Sequence, residues 1–114
     1  MLISSLRPAT TEHREFLWSR NVEVPTEPGC YALVAFDKTV LYVGLASTSL
    51  RTRMGAHLDD PLKRKGWQDK IPFWFYFLRL PTDRVGPVER GWINQSILED
   101  GGLPPLNRVH SPVS

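Results

Sequence analysis

GCYALVAFDKTVLYVG, residues 29 to 44, decides the fold. An apolar run from Cys30 to Phe36 is interrupted by Asp37-Lys38-Thr39 and resumes at Val40. Two strand-forming runs with so short a polar connection predict an antiparallel hairpin. Tyr31 and Tyr42 stand near its mirrored ends, each one or two places from a glycine, Gly29 and Gly44. With the turn centred near Asp37 and Lys38, the two phenols fall within about one residue of direct opposition. Register makes them cross-strand neighbours or a diagonal pair. By strand propensity alone they are aromatic packing; chemistry requires partners from other parts of the chain.

Working outward, residues 10 to 20, TTEHREFLWSR, read as a helix capped by Thr10 or Thr11, with Glu12 and Glu15 at its positive end. VEVPTEPG then breaks the chain. After the hairpin, Ser47-Thr48-Ser49 supplies N-cap residues for a helix whose buried stripe is Leu50, Met54 and Leu58, limited by Pro61. LKRKGWQDK is a basic loop or short helix, and IPFWFYFLRL fits a strand covered on both faces. A last helix starts near Gly86-Pro87, with Pro87 in its first turn, and stops at Gly101-Gly102. Val88, Trp92 and Ser96 form one row of it; Glu89, Ile93 and Ile97 form the next. LPPLNRVHSPVS reads as an extended tail. The order α-β-β-α-β-α predicts an α+β fold, a small three-stranded antiparallel or mixed sheet flanked by helices.

The 114 residues suit one domain, read as a helical extension over 1–28, a central unit over 29–108 and a tail over 109–114. A net charge of +2 permits a polyanionic partner without demanding one. The single cysteine, Cys30, rules out an internal disulfide and a cysteine-rich zinc site. No apolar run reaches secretory or membrane-spanning length, which points to a soluble, cytoplasmic protein with no membrane partner.

Four polar features ask for an explanation. Arg53 and His57, one turn apart, share a helix face beside the Leu50 stripe, and Arg51 is the competing arginine. Glu89 shares a core-facing row with two isoleucines, where a carboxylate must be paired, hydrogen-bonded or bound to a metal. Asn107 follows two prolines as a turn residue. Lys63, Arg64, Lys65 and Lys70 form a basic run, either a phosphate track or a solvated loop. Cys30 has no neighbouring base to activate it.

Taken in order, these residues resemble the GIY-YIG endonuclease family. Gly29-Cys30-Tyr31 is similar to the GIY element, with cysteine in place of the branched apolar residue. Tyr42-Val43-Gly44 is similar to YIG. Arg53 and His57 look like the family's helix-borne arginine and histidine, Glu89 like its metal-binding glutamate, and Asn107 like its late asparagine. Arg53 lies one position further from Tyr42 than in the commonest members, which leaves Arg51 as the other candidate. Arg53 is preferred because it keeps the one-turn relation to His57.

The resemblance implies a GIY-YIG-like fold and a DNA endonuclease. One magnesium or manganese ion on Glu89 would assist hydrolysis to 5′-phosphate and 3′-hydroxyl ends. Tyr31 would accept the proton of the attacking water, Arg53 would offset phosphoryl charge, and Tyr42, His57 and Asn107 would position groups. Gly44, Arg51, Lys63, Arg64, Lys65 and Lys70 would approach the DNA, duplex or branched, in a repair or restriction setting. A protein partner or a homodimer would supply specificity. The rival expectation is a non-cleaving nucleic-acid-binding or accessory module on the same fold. An accessory role would leave Trp67 and the aromatics of 73–77 exposed.

Overall fold

The hairpin forms where its residues predict it. A computed structural model describes residues 1–110, with side chains through Asn107; 111–114, the end of the expected tail, lie outside the described residues. A single turn of 3₁₀ helix, Ile3–Ser5, precedes β1 (Glu12–Glu15) and the short α1 (Trp18–Asn21). Next come β2 (Gly29–Ala35), β3 (Val40–Ala46), α2 (Leu50–Leu58) and α3 (Pro61–Lys65). The chain continues with β4 (Pro72–Arg79), α4 (Thr82–Asp100) and α5 (Pro105–His110). The class is α+β, built on a four-stranded antiparallel sheet in the order β1-β4-β2-β3.

The fourth strand corrects the expected helix over 10–20 and the expected three-stranded sheet. Glu12, His13, Arg14 and Glu15 pair with Phe77, Tyr76, Phe75 and Trp74. Without them β4 would present an open row of peptide groups. The amides of Thr11 and Phe16 extend the pairing to the carbonyls of Phe77 and Phe73. Helical capping signals in this segment lose to a ladder that only the tertiary fold offers.

Two cores lie on opposite faces of the sheet. On one, Tyr31, Leu33, Phe75 and Phe77 pack against Leu50, Met54 and Leu58 of α2 and Leu106 of α5. On the other, Cys30, Ala32, Val34 and Val43 meet Val85, Val88 and Trp92 of α4, with Ile3 and Leu6 from the N-terminal segment. The strand over 72–79 is therefore covered on both sides, as its composition predicts. Among the described residues no helix is long and apolar enough to cross a membrane.

Three further corrections bear on the site. The last long helix begins at Thr82, before Gly86-Pro87, so Pro87 lies in its second turn, where one backbone bond is forgone. Ile93 is half-buried and Ile97 exposed, so the Glu89 row lies at the margin of the core while Val88, Trp92 and Ser96 fill it. The segment after Pro104 is helical through His110, where an extended tail is expected.

Candidate active site

Tyr31 anchors the site from the middle of β2 and is 0% exposed. Its strand partner is Gly44, and a Cβ added there would stand 2.6 Å from the phenol oxygen. The second glycine of the hairpin therefore makes room for the first tyrosine. Gly29 works in the same way for α2: a Cβ there would meet the Leu78 carbonyl at 2.3 Å and Leu50 at 2.9 Å.

Tyr42 pairs with Leu33, so the tyrosines form a diagonal pair, with ring centroids 6.2 Å apart. A bulge sets this up. Leu33 pairs with Tyr42 but Val34 pairs with Val40, leaving Leu41 as an extra residue in β3. Strict alternation would send Leu41 and Tyr42 to opposite faces. The bulge places both in the core that holds Tyr31.

Ser49 caps α2, its hydroxyl accepting from the Thr52 amide at 3.2 Å, and α2 carries the next two groups. His57 is 5% exposed, and its Nε2 shares a 2.6 Å hydrogen bond with the Tyr31 phenol. Burial first, then the charges of Lys63 and Arg53, pushes the imidazole down to about 3, so it is neutral at pH 7. Burial and the neighbouring Tyr42 hold the Tyr31 phenol above its ordinary value, with Arg53 opposing.

Arg53 shares an electrostatic field with the Tyr31 phenol first, and with Tyr42 and Glu89 after it, which raises its own pKa against burial. Its outer side lines an open groove with Ser47, Thr48, Ser49 and Thr52. Arg51 points elsewhere. Its guanidinium donates to the carbonyls of Val24 at 2.8 Å and Val22 at 3.0 Å, which ties down the segment after α1. Of the two candidate arginines, the fold brings Arg53 to the tyrosines and uses Arg51 to hold backbone.

Glu89 arrives from α4, half-buried. Two turns into its helix, it is beyond the reach of the helix dipole, which fades within the first turn. The start of α4 therefore offers the carboxylate no compensation. Among the described residues its carboxylate makes no hydrogen bond or ion pair. Burial raises its pKa, opposed by Arg90 and Arg53. Asn107 holds the strand that carries Tyr42. Its Oδ1 accepts from the Val43 amide and its Nδ2 donates to the Val43 carbonyl, both at 2.9 Å.

The basic run divides. Arg64 and Lys65 are exposed on α3, and Lys70 pairs with Asp37 of the hairpin turn. Lys63, expected on a phosphate track or a solvated loop, is instead 5% exposed, with its ammonium 4.7 Å from the centre of the Tyr42 ring. Asp60-Pro61 carries the signal for this placement, a cap followed by an N1 proline that starts a helix and turns Lys63 inward. Gly44, expected near DNA, is buried. Cys30 is also buried, donates its S–H to the Val85 carbonyl at 3.1 Å and is pushed up to about 12 by burial, an inert thiol.

Among the described residues no three His, Cys, Asp or Glu side chains gather into a metal cluster. The donor set offers a single carboxylate with unspent lone pairs. That fits a hard dication whose remaining ligands are water and phosphate oxygens. Trp67 is half-buried, and Phe75 and Phe77 are fully buried, so this strand shows no continuous aromatic surface. No protein-family model matches the chain, and no curated protein matches it.

Proposed function

We propose that this chain adopts a GIY-YIG-like fold and is a metal-dependent DNA endonuclease of that type. One observation carries the reading. Tyr31, Tyr42 and His57 are in mutual contact, and the charges of Arg53 and of Glu89, a half-buried carboxylate with no hydrogen bond or ion pair among the described residues, act on the same cluster, which supports the reading. Packing alone does not require that set of groups to converge.

In this reading Arg53 binds the phosphodiester through the groove it lines and meets charge developing on the phosphoryl oxygens. The Arg53 guanidinium carries donors only and sets its positive charge against the Tyr31 phenol. With the proton of neutral His57 on Nδ1, the Tyr31 O–H donates to Nε2 across their 2.6 Å contact. Water's proton passes to Tyr31 as the phenol releases its own proton to His57, so the phenol never carries a full charge in its buried position. Phosphodiester charge offsets the Arg53 and Lys63 fields that help hold His57 down, which makes the ring a better acceptor once substrate is bound. Glu89 would hold one magnesium or manganese ion, which would supply Lewis-acid polarisation of the phosphate and stabilise the departing 3′ oxygen. The products would carry 5′-phosphate and 3′-hydroxyl ends. Asn107 acts through the strand, fixing Val43 between Tyr42 and Gly44.

The test is cleavage of supercoiled plasmid and branched oligonucleotides with magnesium or manganese, beside Glu89→Ala. Metal-dependent nicking that falls at least about 10²-fold in the variant is the expected result. Equal DNA binding by both proteins without cleavage by either would replace the nuclease with a non-cleaving binding module. Neither binding nor cleavage would remove nucleic acid as the partner.

A further inference from the structure

Lys63 combines burial with unspent hydrogen-bonding capacity. Its ammonium carries three donors. Among the described residues it meets one carboxylate oxygen, Oδ2 of Asp60 at 3.5 Å, and the face of the Tyr42 ring. The other oxygen of Asp60 is committed as the cap of α3, accepting from the Leu62 amide at 2.9 Å. A charge placed this deep with so little compensation is costly unless an anion completes its shell. Lys63 lies over the Tyr42 ring, and the charge of Arg53 acts on Tyr31, so each phenol has its own cation.

We propose that Lys63 is a substrate-binding residue inside the site: its ammonium takes a phosphate oxygen of the bound DNA strand, with Asp60 holding it in place beforehand. The assignment rests on the nuclease reading and makes the site a two-cation phosphate clamp. It separates Lys63 from Arg64 and Lys65, which remain surface charges.

The experiment measures fluorescence-anisotropy binding of a labelled branched oligonucleotide across a potassium chloride series, without divalent metal. The parent is Glu89→Gln, compared with the same protein carrying Lys63→Met or Lys63→Arg. Loss of one phosphate contact lowers the slope of log K against log salt by about 0.9. Lys63→Met should show that change together with roughly tenfold weaker binding, and Lys63→Arg should restore the slope. Lys63→Gln serves the same comparison should Lys63→Met fail to fold. A purely structural lysine would lower the melting temperature and leave the slope unchanged, which would overturn the assignment while the nuclease reading stands. A parent that does not bind the oligonucleotide overturns the assignment as well; wild-type plasmid cleavage then decides the reading separately.

Discussion

The imidazole of His57 lies 2.6 Å from a phenol and within the fields of two cations, Lys63 and Arg53. The unfolded chain binds this proton near pH 6.5, the folded chain only near 3. Between those values the unfolded state holds more protons, so stability rises with pH. The contribution is complete above about 6.5 and is lost as pH falls toward 3. Urea unfolding at several pH values across that window should show a steeper dependence in the wild type than in His57→Gln, by up to about 1.4 kcal/mol per pH unit. Equal slopes would mean that the ring titrates as it does in water. Gly44 illustrates a different residue-scale constraint, since the space beside it belongs to the Tyr31 phenol.

At the scale of elements, β3 is an edge strand that α5 completes with a side chain. The amide of Asn107 matches one N–H and one carbonyl of Val43, the pattern a neighbouring strand would offer. Asn107→Leu leaves both backbone groups buried without those partners, at a cost of about 2–4 kcal/mol. Denaturant unfolding should show that loss, and hydrogen exchange should show faster opening at Val43. A variant as stable as the parent would mean that water or a shifted α5 replaces the amide. The bulge at Leu41 belongs to this scale too, because one extra residue sets which face Tyr42 occupies.

For the whole molecule, the N-terminal segment is part of both cores and of the sheet. Ile3 and Leu6 lie in the α4 core, Phe16 and Val24 in the other, and β1 completes the β4 edge. Gln95 ties α4 to this segment: its Oε1 accepts from the Arg7 amide, and its Nε2 donates to the Ser5 carbonyl. Burying each of those four side chains stabilises by about 1.5–3 kcal/mol, a sum comparable with the about 5–15 kcal/mol of a whole domain. A chain beginning at residue 25 should therefore lose its cooperative thermal transition by circular dichroism. A sharp transition retained near the full-length midpoint would show that 25–110 folds alone.

Local signals carried much of this arrangement. The turn at Asp37-Lys38-Thr39, the Ser49 cap, the Leu50-Met54-Leu58 stripe and the Val88-Trp92-Ser96 row can each be read from residues close in sequence, because turn chemistry and helical period act over a few positions. The pairing of Glu12–Glu15 with β4 could not, since a strand edge some sixty residues away competes with local helix propensity. The face of Tyr42, the use of Arg51 to hold the backbone of Val22 and Val24, the burial of Lys63 and the lack of a hydrogen bond or ion pair on Glu89 among the described residues were likewise decided by tertiary structure. Each depends on what lies across a sheet or between helices, and burial and charge there act through space, where sequence spacing has no say.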